Sequence, residues 1–178
     1  YHDTEWCVPE YDSRALWEKL ILDGFQAGLS WITILKKREN FRAAFEGFDP
    51  HMIAEWGDED VERLLQDPGI IRHRGKIEAT IGNARAWAEI EAREGFDRFL
   101  WNYVDGMPLR TTFSDRADIP TQSPLSAQIS KDLKKAGFRF CGPTIVYAFM
   151  EATGLFNNHI TTCPRHDACA ALARSPAV

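Results

Sequence analysis

The chain has 178 residues, of which 44% are hydrophobic and 26% are charged, and this balance predicts one compact domain over residues 1–178. The formal net charge of -5 argues against nonspecific attraction to polyanions, so nucleic-acid contact would have to come from a local basic surface. Four cysteines are too few for a disulfide scaffold, and no signal peptide or long apolar run is seen, so we expect a cytoplasmic protein with no membrane partner.

Apolar residues recur at helical spacing along most of the chain. Asp12 or Ser13 can cap a first helix that ends near Gly24 and carries an apolar face. A second helix is predicted over about 28–45. Its expected apolar stripe consists of Leu29, Ile32, Leu35, Phe41 and Phe45.

Shorter helices are expected to open at Asp49-Pro50 and at Asp58, and residues 73–94 form a long amphipathic candidate. The stretch 105–123 is rich in turn residues and is predicted to be a loop. Because no alternating strand pattern of useful length is present, we predict an all-α fold, an orthogonal bundle whose helices cross at varied angles.

Basic residues form three clusters, and any single cluster of this kind is usually a solvated helix face. The third cluster leads into AGFRFCGPTIVYAF, where Gly137 and Gly142 bracket a short turn between two apolar helices. Glycine lets the backbone approach a phosphate closely, and the N–H groups that open the next helix point at an anion. The segment of about 131–153 is therefore either a DNA-binding helix-hairpin-helix or an ordinary helical hairpin with a glycine cap. The clusters are Lys36, Lys37, Arg38 and Arg42; Arg72, Arg74 and Lys76; and Lys131, Lys134, Lys135 and Arg139.

The stretch GLFNNHITTC, residues 154–163, sets His159 and Cys163 four residues apart. This spacing predicts that both lie on one face of a helical turn, and imidazole with thiolate is a common zinc half-site. Two ligands do not make a site, and for His159 in isolation a buried, hydrogen-bonded histidine is the default interpretation.

Four longer stretches resemble the DNA-3-methyladenine glycosylase I family, a branch of the helix-hairpin-helix DNA glycosylases. They occur in the expected order over nearly the whole chain. The resemblance implies a glycosylase-like helical bundle and a monomeric repair enzyme. Such an enzyme flips 3-methyladenine out of double-stranded DNA and hydrolyses its N-glycosidic bond. The stretches are YHDTEWCVPE, DGFQAGLSWITILKKRENFRAAF, GIIRHRGKIEATIGNARA and GFRFCGPTIVYAFMEATGLFNNH.

The chain departs from the wider superfamily in its catalytic triplet. Where most members have Asp-Thr-His after the hairpin, this sequence has Asn157, Asn158 and His159. Neither Pro143 nor Thr144 is the lysine that bifunctional members use as a nucleophile, so the resemblance implies hydrolysis without strand cleavage. A base alkylated at N3 carries positive charge and leaves as a neutral base, so this lesion needs no protonating acid.

The resemblance assigns a base-binding pocket to Tyr1, Trp6 and Trp31, whose rings would hold a cationic base by stacking and cation-π attraction. Asp23 stands where the family usually has Glu. We expect it to bind the base and to be catalytic, although it also fits a residue at a helix C-terminus. We expect the other four tryptophans to lie in the core: Trp17, Trp56, Trp87 and Trp101.

DNA contacts are expected on two surfaces. Leu29, in the turn GLS, is a candidate for the apolar wedge that fills the gap left by the flipped base. The hairpin is expected to contact phosphates through Gly137, Gly142, Lys134 and Arg139.

The resemblance also adds His2 and a cysteine upstream of it to the zinc half-site. We expect a structural zinc ion bound by His2, His159 and Cys163, which would tie the N-terminal segment to the C-terminal one. The fourth ligand stays open between the upstream cysteine, a water molecule, and His166 or Cys169. Cys7 is expected to be a pocket residue instead, because it lies beside Trp6.

Two other functions stay open on the sequence. Asn157 and Asp23 would suit a lesion-binding DNA module that has lost turnover. The second alternative is a glycosylase for a different alkylpurine, because pocket volume cannot be read from residues.

Overall fold

A computed structural model describes residues 1–173 and confirms the all-α fold. Three short 3-10 helices (Glu46–Phe48, Asn102–Val104 and Arg116–Asp118) supplement the α-helices. Two strands of two residues each, β1 (Leu109–Arg110) and β2 (Phe156–Asn157), pair in parallel. Within the described residues the α-helices are α1 (Ser13–Gln26), α2 (Trp31–Ala44), α3 (Pro50–Ala54), α4 (Asp58–Leu65), α5 (Arg74–Arg93), α6 (Phe96–Trp101), α7 (Pro124–Lys135), α8 (Pro143–Ala152) and α9 (Arg165–Ala170).

Local capping signals fix the starts of several helices. The Asp12 carboxylate accepts a hydrogen bond from the Ala15 N–H at 2.8 Å and caps α1. Asp49 caps α3 in the same way, with Pro50 as the first helical residue. Helix α5 spans almost the whole predicted 73–94 segment and begins after His73, whose ring caps it.

The predicted apolar stripe of α2 is wrong at its N-terminal end. The helix begins at Trp31, so Leu29 lies in the preceding turn, where it is 42% exposed. Ile32 is 54% exposed, and Ile34 is the buried residue of that turn instead. Ile34 and Phe41 are two helical turns apart and therefore share one face, whereas Ile32 lies on the opposite side.

Helix α1 lies at the centre of the packing and contacts α2, α5, α6 and α8. Its own residue Trp17 is fully buried, and Trp87 and Trp101 are also buried, as predicted. Trp56 lies at the edge of the core, with the guanidinium of Arg63 5.0 Å from its ring centroid. Helix α1 is therefore held on several sides, which fixes the side chains that it presents.

The predicted loop 105–123 contains a short strand that the sequence did not indicate. Its Leu109 pairs with Phe156, and Arg110 with Asn157, so the loop is joined to the segment after α8. Two residues are too few to show an alternating pattern, which is why the pairing could not be predicted. Helices α6 and α9, of six residues each, were also not predicted, because they too carry little periodic signal.

The hairpin consists of α7, a tight turn and α8, so it begins at Pro124 rather than near 131. Gly137 has φ of 104°, a conformation that favours glycine, and Phe140 has φ of 55°. Asn83 on α5 holds the turn: its Oδ1 accepts from the Arg139 N–H at 2.8 Å, and its Nδ2 donates to the Arg139 carbonyl at 3.1 Å. The turn is therefore fixed to the body of the protein. No helix in residues 1–173 combines the length and apolarity needed to cross a bilayer.

Candidate active site

The N-terminal segment lies across the end of α8 and brings its side chains to the centre of the molecule. The Cys7 N–H donates to the Glu151 carbonyl at 2.9 Å, and the Glu10 N–H donates to the Thr153 carbonyl at 3.0 Å. Gly154 has φ of 72°, and a Cβ there would lie 2.5 Å from the Pro9 nitrogen. Glycine at this position therefore permits the close approach of the two segments.

Asp23 is a buried carboxylate that the fold leaves without a partner. It is 2% exposed, and its Oδ2 forms no hydrogen bond within residues 1–173. Burial raises the pKa of Asp23 well above its ordinary value; the charge of Lys19 opposes this shift, and that of Glu151 adds to it. Helix α1 continues to Gln26, so Asp23 does not cap its end. A buried polar group without a partner costs roughly 1–3 kcal/mol, which suggests that a ligand completes this site.

Tyr1 and Trp31 meet beside this carboxylate. Their ring centroids are 5.5 Å apart with the planes tilted by 48°. Burial raises the pKa of the Tyr1 hydroxyl, and the nearby charge of Asp23 raises it further. The structure therefore brings together three of the four residues that the sequence assigned to base binding.

Trp6 lies between this group and the candidate metal ligands. Its ring centroid is 4.8 Å from that of His159 and 5.8 Å from that of His2. Both Tyr1 and Trp6 line one cavity, so Trp6 still belongs to the predicted pocket.

Two cavities meet at Tyr1. The larger, of about 500 Å³, lies between the N-terminal segment, α8 and the loop that carries Arg116. The smaller, of about 220 Å³, includes Trp31 and charged residues of α1 and α2. A volume of roughly 300–1,000 Å³ is typical of small-molecule pockets, so the larger cavity has room for a flipped nucleotide. Its lining consists of Tyr1, His2, Trp6, Arg116, Ile119, Pro120, Thr121, Thr144, Tyr147, Ala148 and Glu151.

The first two basic clusters are largely neutralised by the fold. Arg38 Nη1 donates to both carboxylate oxygens of Glu5, at 2.6 and 2.8 Å. Arg42 pairs with two glutamates, and Arg74 pairs with Glu62. These residues therefore form a solvated or structural helix face, as is usual for a single basic cluster.

Lys76, also in the second cluster, is buried and holds the turn after α1. Its ammonium group donates to the carbonyls of Phe25 at 2.8 Å and Ala27 at 2.6 Å. Burial lowers its pKa. Lys76 therefore fixes the turn that presents the exposed Leu29.

The third basic cluster remains free on the surface of the hairpin. Lys131, Lys134, Lys135 and Arg139 are exposed, and none of them forms an ion pair within the described residues. A Cβ at Gly142 would meet no described atom within 4 Å, and its φ of -63° suits any residue. The described residues therefore give no steric reason for a glycine at this helix start.

The hairpin and the Leu29 turn lie close together. A Cβ at Gly24 would lie 3.2 Å from the Phe140 carbonyl oxygen, so the end of α1 contacts the hairpin turn. Leu29 and the hairpin residues assigned to DNA binding therefore occupy neighbouring parts of the surface.

His2, His159 and Cys163 form the group of candidate metal ligands that the sequence predicted. Their donor atoms all lie within 4.8 Å of one another, with Cys163 Sγ 3.6 Å from His159 Nδ1 and 4.0 Å from His2 Nε2. The other ring nitrogens hydrogen-bond elsewhere: His159 Nε2 to the Trp6 carbonyl at 3.1 Å, and His2 Nδ1 to Asp3 at 2.7 Å. Such partners orient an imidazole and leave one nitrogen free for a metal. The donor set fits zinc.

The backbone of this group differs from the helical turn that the four-residue spacing suggested. Residues 159–163 are not helical, and a tight turn with the Cys163 N–H donating to the Ile160 carbonyl at 2.8 Å brings the two ligands together. Pro164, directly after Cys163, precedes the short helix α9. The spacing predicted the proximity correctly and the backbone wrongly.

The alternative fourth ligands lie outside this group. His166 bonds to the Thr111 carbonyl through Nε2 at 3.0 Å and faces Arg110 and Asp167 through Nδ1. Cys169 Sγ accepts a hydrogen bond from Arg165. Cys7 Sγ accepts a hydrogen bond from the Asn158 N–H at 3.4 Å and also lies outside the group. The identity of a fourth ligand therefore stays a prediction.

Sequence reasoning missed one polar residue of the larger cavity, Glu151. Its Oε1 accepts a hydrogen bond from Asn158 Nδ2 at 2.8 Å, and the same amide donates to the Tyr147 hydroxyl at 2.8 Å. Burial raises the pKa of Glu151 to about 7, and the hydrogen bond from Asn158 opposes this shift. A glutamate on an amphipathic helix normally indicates a solvent-facing position, so the sequence carried no signal for it.

Comparisons with known proteins show the family to which this chain is similar. The family model described as methyladenine glycosylase matches residues 1–166. DNA-3-methyladenine glycosylase 1 of Escherichia coli (strain K12) is 56% identical over 164 residues, which cover 92% of this chain and 88% of that protein. A crystal structure of 3-methyladenine DNA glycosylase I superposes with a TM-score of 0.92 at 59% identity, covering 93% of this chain and 92% of the other. Another, on 3-methyladenine recognition by the Staphylococcus aureus protein, gives a TM-score of 0.91 at 42% identity, covering 93% and 89%.

Proposed function

This chain belongs to the methyladenine glycosylase family, and we propose that it excises 3-methyladenine at the site where the rings of Tyr1 and Trp31 meet beside the buried Asp23 carboxylate. The protein is a DNA N-glycosylase of base excision repair. The observation that carries the proposal is the Asp23 carboxylate, which is buried beside two aromatic rings with an oxygen unpartnered in the described residues. Such a group suits a positively charged base that arrives from outside.

The charge of the substrate explains how Asp23 would act. Without a positive charge beside it, burial favours the protonated carboxyl of Asp23. A cationic base beside it favours the carboxylate, which then attracts the base and the oxocarbenium character that develops on the sugar. As the bond from C1′ to N9 breaks, its electron pair moves to the base, which leaves neutral. No acid is needed to protonate the leaving group.

We propose hydrolysis without strand cleavage. The positions that follow the hairpin turn, Pro143 and Thr144, offer no amine for a Schiff base. Lys19 is the lysine near Asp23, and its ammonium group donates to the Ala152 carbonyl at 3.0 Å and lies 3.8 Å from Glu5. An amine held and charged in this way is a poor nucleophile.

We propose that double-stranded DNA binds across the hairpin and the Leu29 turn. Lys134 and Arg139, which form no ion pair within residues 1–173, would contact phosphates together with the helix start at Gly142. Leu29 would enter the gap left by the flipped base. The contacts with phosphate are independent of sequence, as repair of scattered lesions requires. We propose that the enzyme acts as a monomer, because one chain carries both the pocket and the DNA-binding surface.

We propose that the bound metal is a structural zinc ion held by His2, His159 and Cys163. Burial lowers the pKa of His159, which favours the neutral ring that binds a metal. The zinc ion would join the N-terminal segment, with Tyr1 and Trp6, to the C-terminal segment. Its role is therefore to position the pocket aromatics rather than to activate water.

A base-release assay tests the proposed function. Methylated duplex DNA that carries a mixture of methylpurines is incubated with excess enzyme, and the released bases are separated by chromatography. We expect rapid release of 3-methyladenine from an intact DNA strand. Tight binding without release would support the lesion-binding module, and preferential release of another base would support a different alkylpurine glycosylase.

A further inference from the structure

The larger cavity contains a carboxylate that the excision described above does not use. Glu151, near the C-terminal end of α8, lines this cavity opposite the loop that carries Arg116. Tyr1 and Trp6 of the base-binding group line the same cavity. Glu151 therefore faces the space that a flipped nucleotide would enter.

The surroundings of Glu151 hold one oxygen and leave the other free. Oε1 accepts the hydrogen bond from Asn158 Nδ2, while Oε2 forms no hydrogen bond within residues 1–173. Asn158 is itself buried and is held by Tyr147, so the orientation of the carboxylate is fixed. A fixed carboxylate with a free oxygen in a cavity can accept a proton from a bound water molecule.

Asp23 is poorly placed for that role. It lies among the buried residues of α1 and lines neither of the two cavities described for residues 1–173. The two carboxylates are close enough for each charge to disfavour the other, since Glu151 raises the pKa of Asp23. Two carboxyl groups in different surroundings commonly take different roles in one reaction.

We infer that Glu151 is a second catalytic carboxylate, the general base for the water molecule that attacks the sugar. This inference rests on the proposed glycosylase function. The bond from C1′ to N9 breaks and its electron pair leaves with the neutral base. The water oxygen bonds to C1′, and its proton passes to Oε2 of Glu151. The amide of Asn158 stays on Oε1 and keeps the carboxylate aimed at the cavity.

The inference has a pH signature, because a general base acts only when deprotonated. Burial raises the pKa of Glu151 to about 7. The ionisable groups around it are Tyr1 and Cys7 of the N-terminal segment, Lys19 and Asp23 of α1, and Tyr147 of its own helix; His2 and Arg116 share its cavity. Asp23 titrates in both parent and variant, but loss of the Glu151 charge removes one cause of its raised pKa. The ratio of their rates is therefore interpreted together with rescue by formate, which depends on the site of Glu151 alone.

The test compares the parent with Glu151→Gln, which keeps an oxygen for Asn158 and removes the charge. Single-turnover release of 3-methyladenine is measured between about pH 5.5 and 8.5. We expect a parent-to-variant ratio near one at the acid end that rises to on the order of 10² at the alkaline end. Glu89→Gln makes the same change on the exposed side of α5 and should keep the parent rate at every pH.

A second variant separates chemistry from folding. Glu151→Ala removes the carboxylate and leaves space, so added sodium formate should restore part of the release, whereas sodium chloride at equal ionic strength should not. Release by Glu151→Gln that equals the parent at every pH would overturn the inference. So would a loss that is the same at every pH and is not rescued by formate, because that pattern indicates a structural role. If the parent itself releases no 3-methyladenine, the proposed function fails instead.

Discussion

At the scale of single residues, the base-binding site contains buried polar atoms that lack a described hydrogen-bond partner and therefore destabilise the folded protein. Asp23 is buried without a described partner for Oδ2, and the indole N–H of Trp31 is also buried without one. Unsatisfied groups of this kind are rare in stable interiors and are concentrated at functional sites. Both residues belong to the group assigned to the base, and two substitutions at Asp23 test that assignment.

Asp23→Asn should reduce single-turnover release of 3-methyladenine by about 10- to 1000-fold, the range for losing one preorganised electrostatic contact. The neutral amide no longer attracts the cationic base or the oxocarbenium sugar. DNA affinity, measured by fluorescence anisotropy, should change little. Asp23→Glu gives this position the longer carboxylate side chain that the family usually has, and the variant should match or exceed the parent rate. Release by Asp23→Asn at the parent rate would remove Asp23 from the mechanism.

The same carboxylate predicts how stability depends on pH. Burial raises the pKa of Asp23 in the folded protein above its value in the unfolded chain. The contribution of the Asp23 carboxyl to the free energy of unfolding is therefore fully present below about pH 4 and is lost as pH rises through the folded pKa. The stability of the parent relative to Asp23→Asn should therefore fall as pH rises above about 4. Urea unfolding of both proteins at increasing pH measures the difference. A difference that grows in favour of the parent at high pH would contradict the burial argument.

At the scale of elements, the hairpin combines rigid anchoring with an open surface. Asn83 fixes the backbone of the turn at Arg139, and the Ser130 hydroxyl donates to the Cys141 carbonyl at 2.6 Å. The outward side of the same turn carries cations that form no ion pair within the described residues. It also carries the start of α8 at Gly142, where a Cβ would meet no described atom within 4 Å. This arrangement suits a phosphate backbone that contacts the protein without deforming it.

Gly142→Glu should weaken binding to any duplex, because it places a carboxylate where a phosphate would lie, while the preference for 3-methyladenine survives. The substitution is sterically allowed, so the loss should occur without a fall in Tm. Gly57→Glu is the matched control: Gly57 is also an N-cap glycine at which a Cβ would meet no described atom within 4 Å, at the start of α4. Equal affinities of Gly142→Glu and Gly57→Glu in moderate salt would make the hairpin a structural turn.

At the scale of the whole molecule, the two ends of the described chain converge on one site. His2 and Trp6 come from the first residues, and His159 and Cys163 from the last quarter, yet the rings of His2 and His159 are 4.8 Å apart. Contacts between segments this distant in sequence are costly to order without a cross-link. A metal ion here would hold the base-binding aromatics of the N-terminal segment in place.

Removal of a ligand should therefore affect both stability and metal content. His2→Ala and Cys163→Ser should lose zinc by elemental analysis and lower Tm, by about 2–4 °C for each kcal/mol of stability lost. Cys169→Ser removes a thiol outside the ligand group and should retain zinc. Chelator-washed parent that contains no zinc and keeps its Tm would contradict the structural role.

The sequence by itself determined the helical class, several helix starts and the hairpin, because caps, glycines and apolar periodicity act over a few residues. It also indicated His159 and Cys163 through their spacing, whereas His2 and the pocket residues were indicated through a family resemblance. Only the tertiary structure decided that Ile32 is exposed, that Arg38 is neutralised by Glu5, and that Glu151 faces a cavity. Each of these depends on which distant segment lies against a helix face, and a local pattern carries no record of that partner.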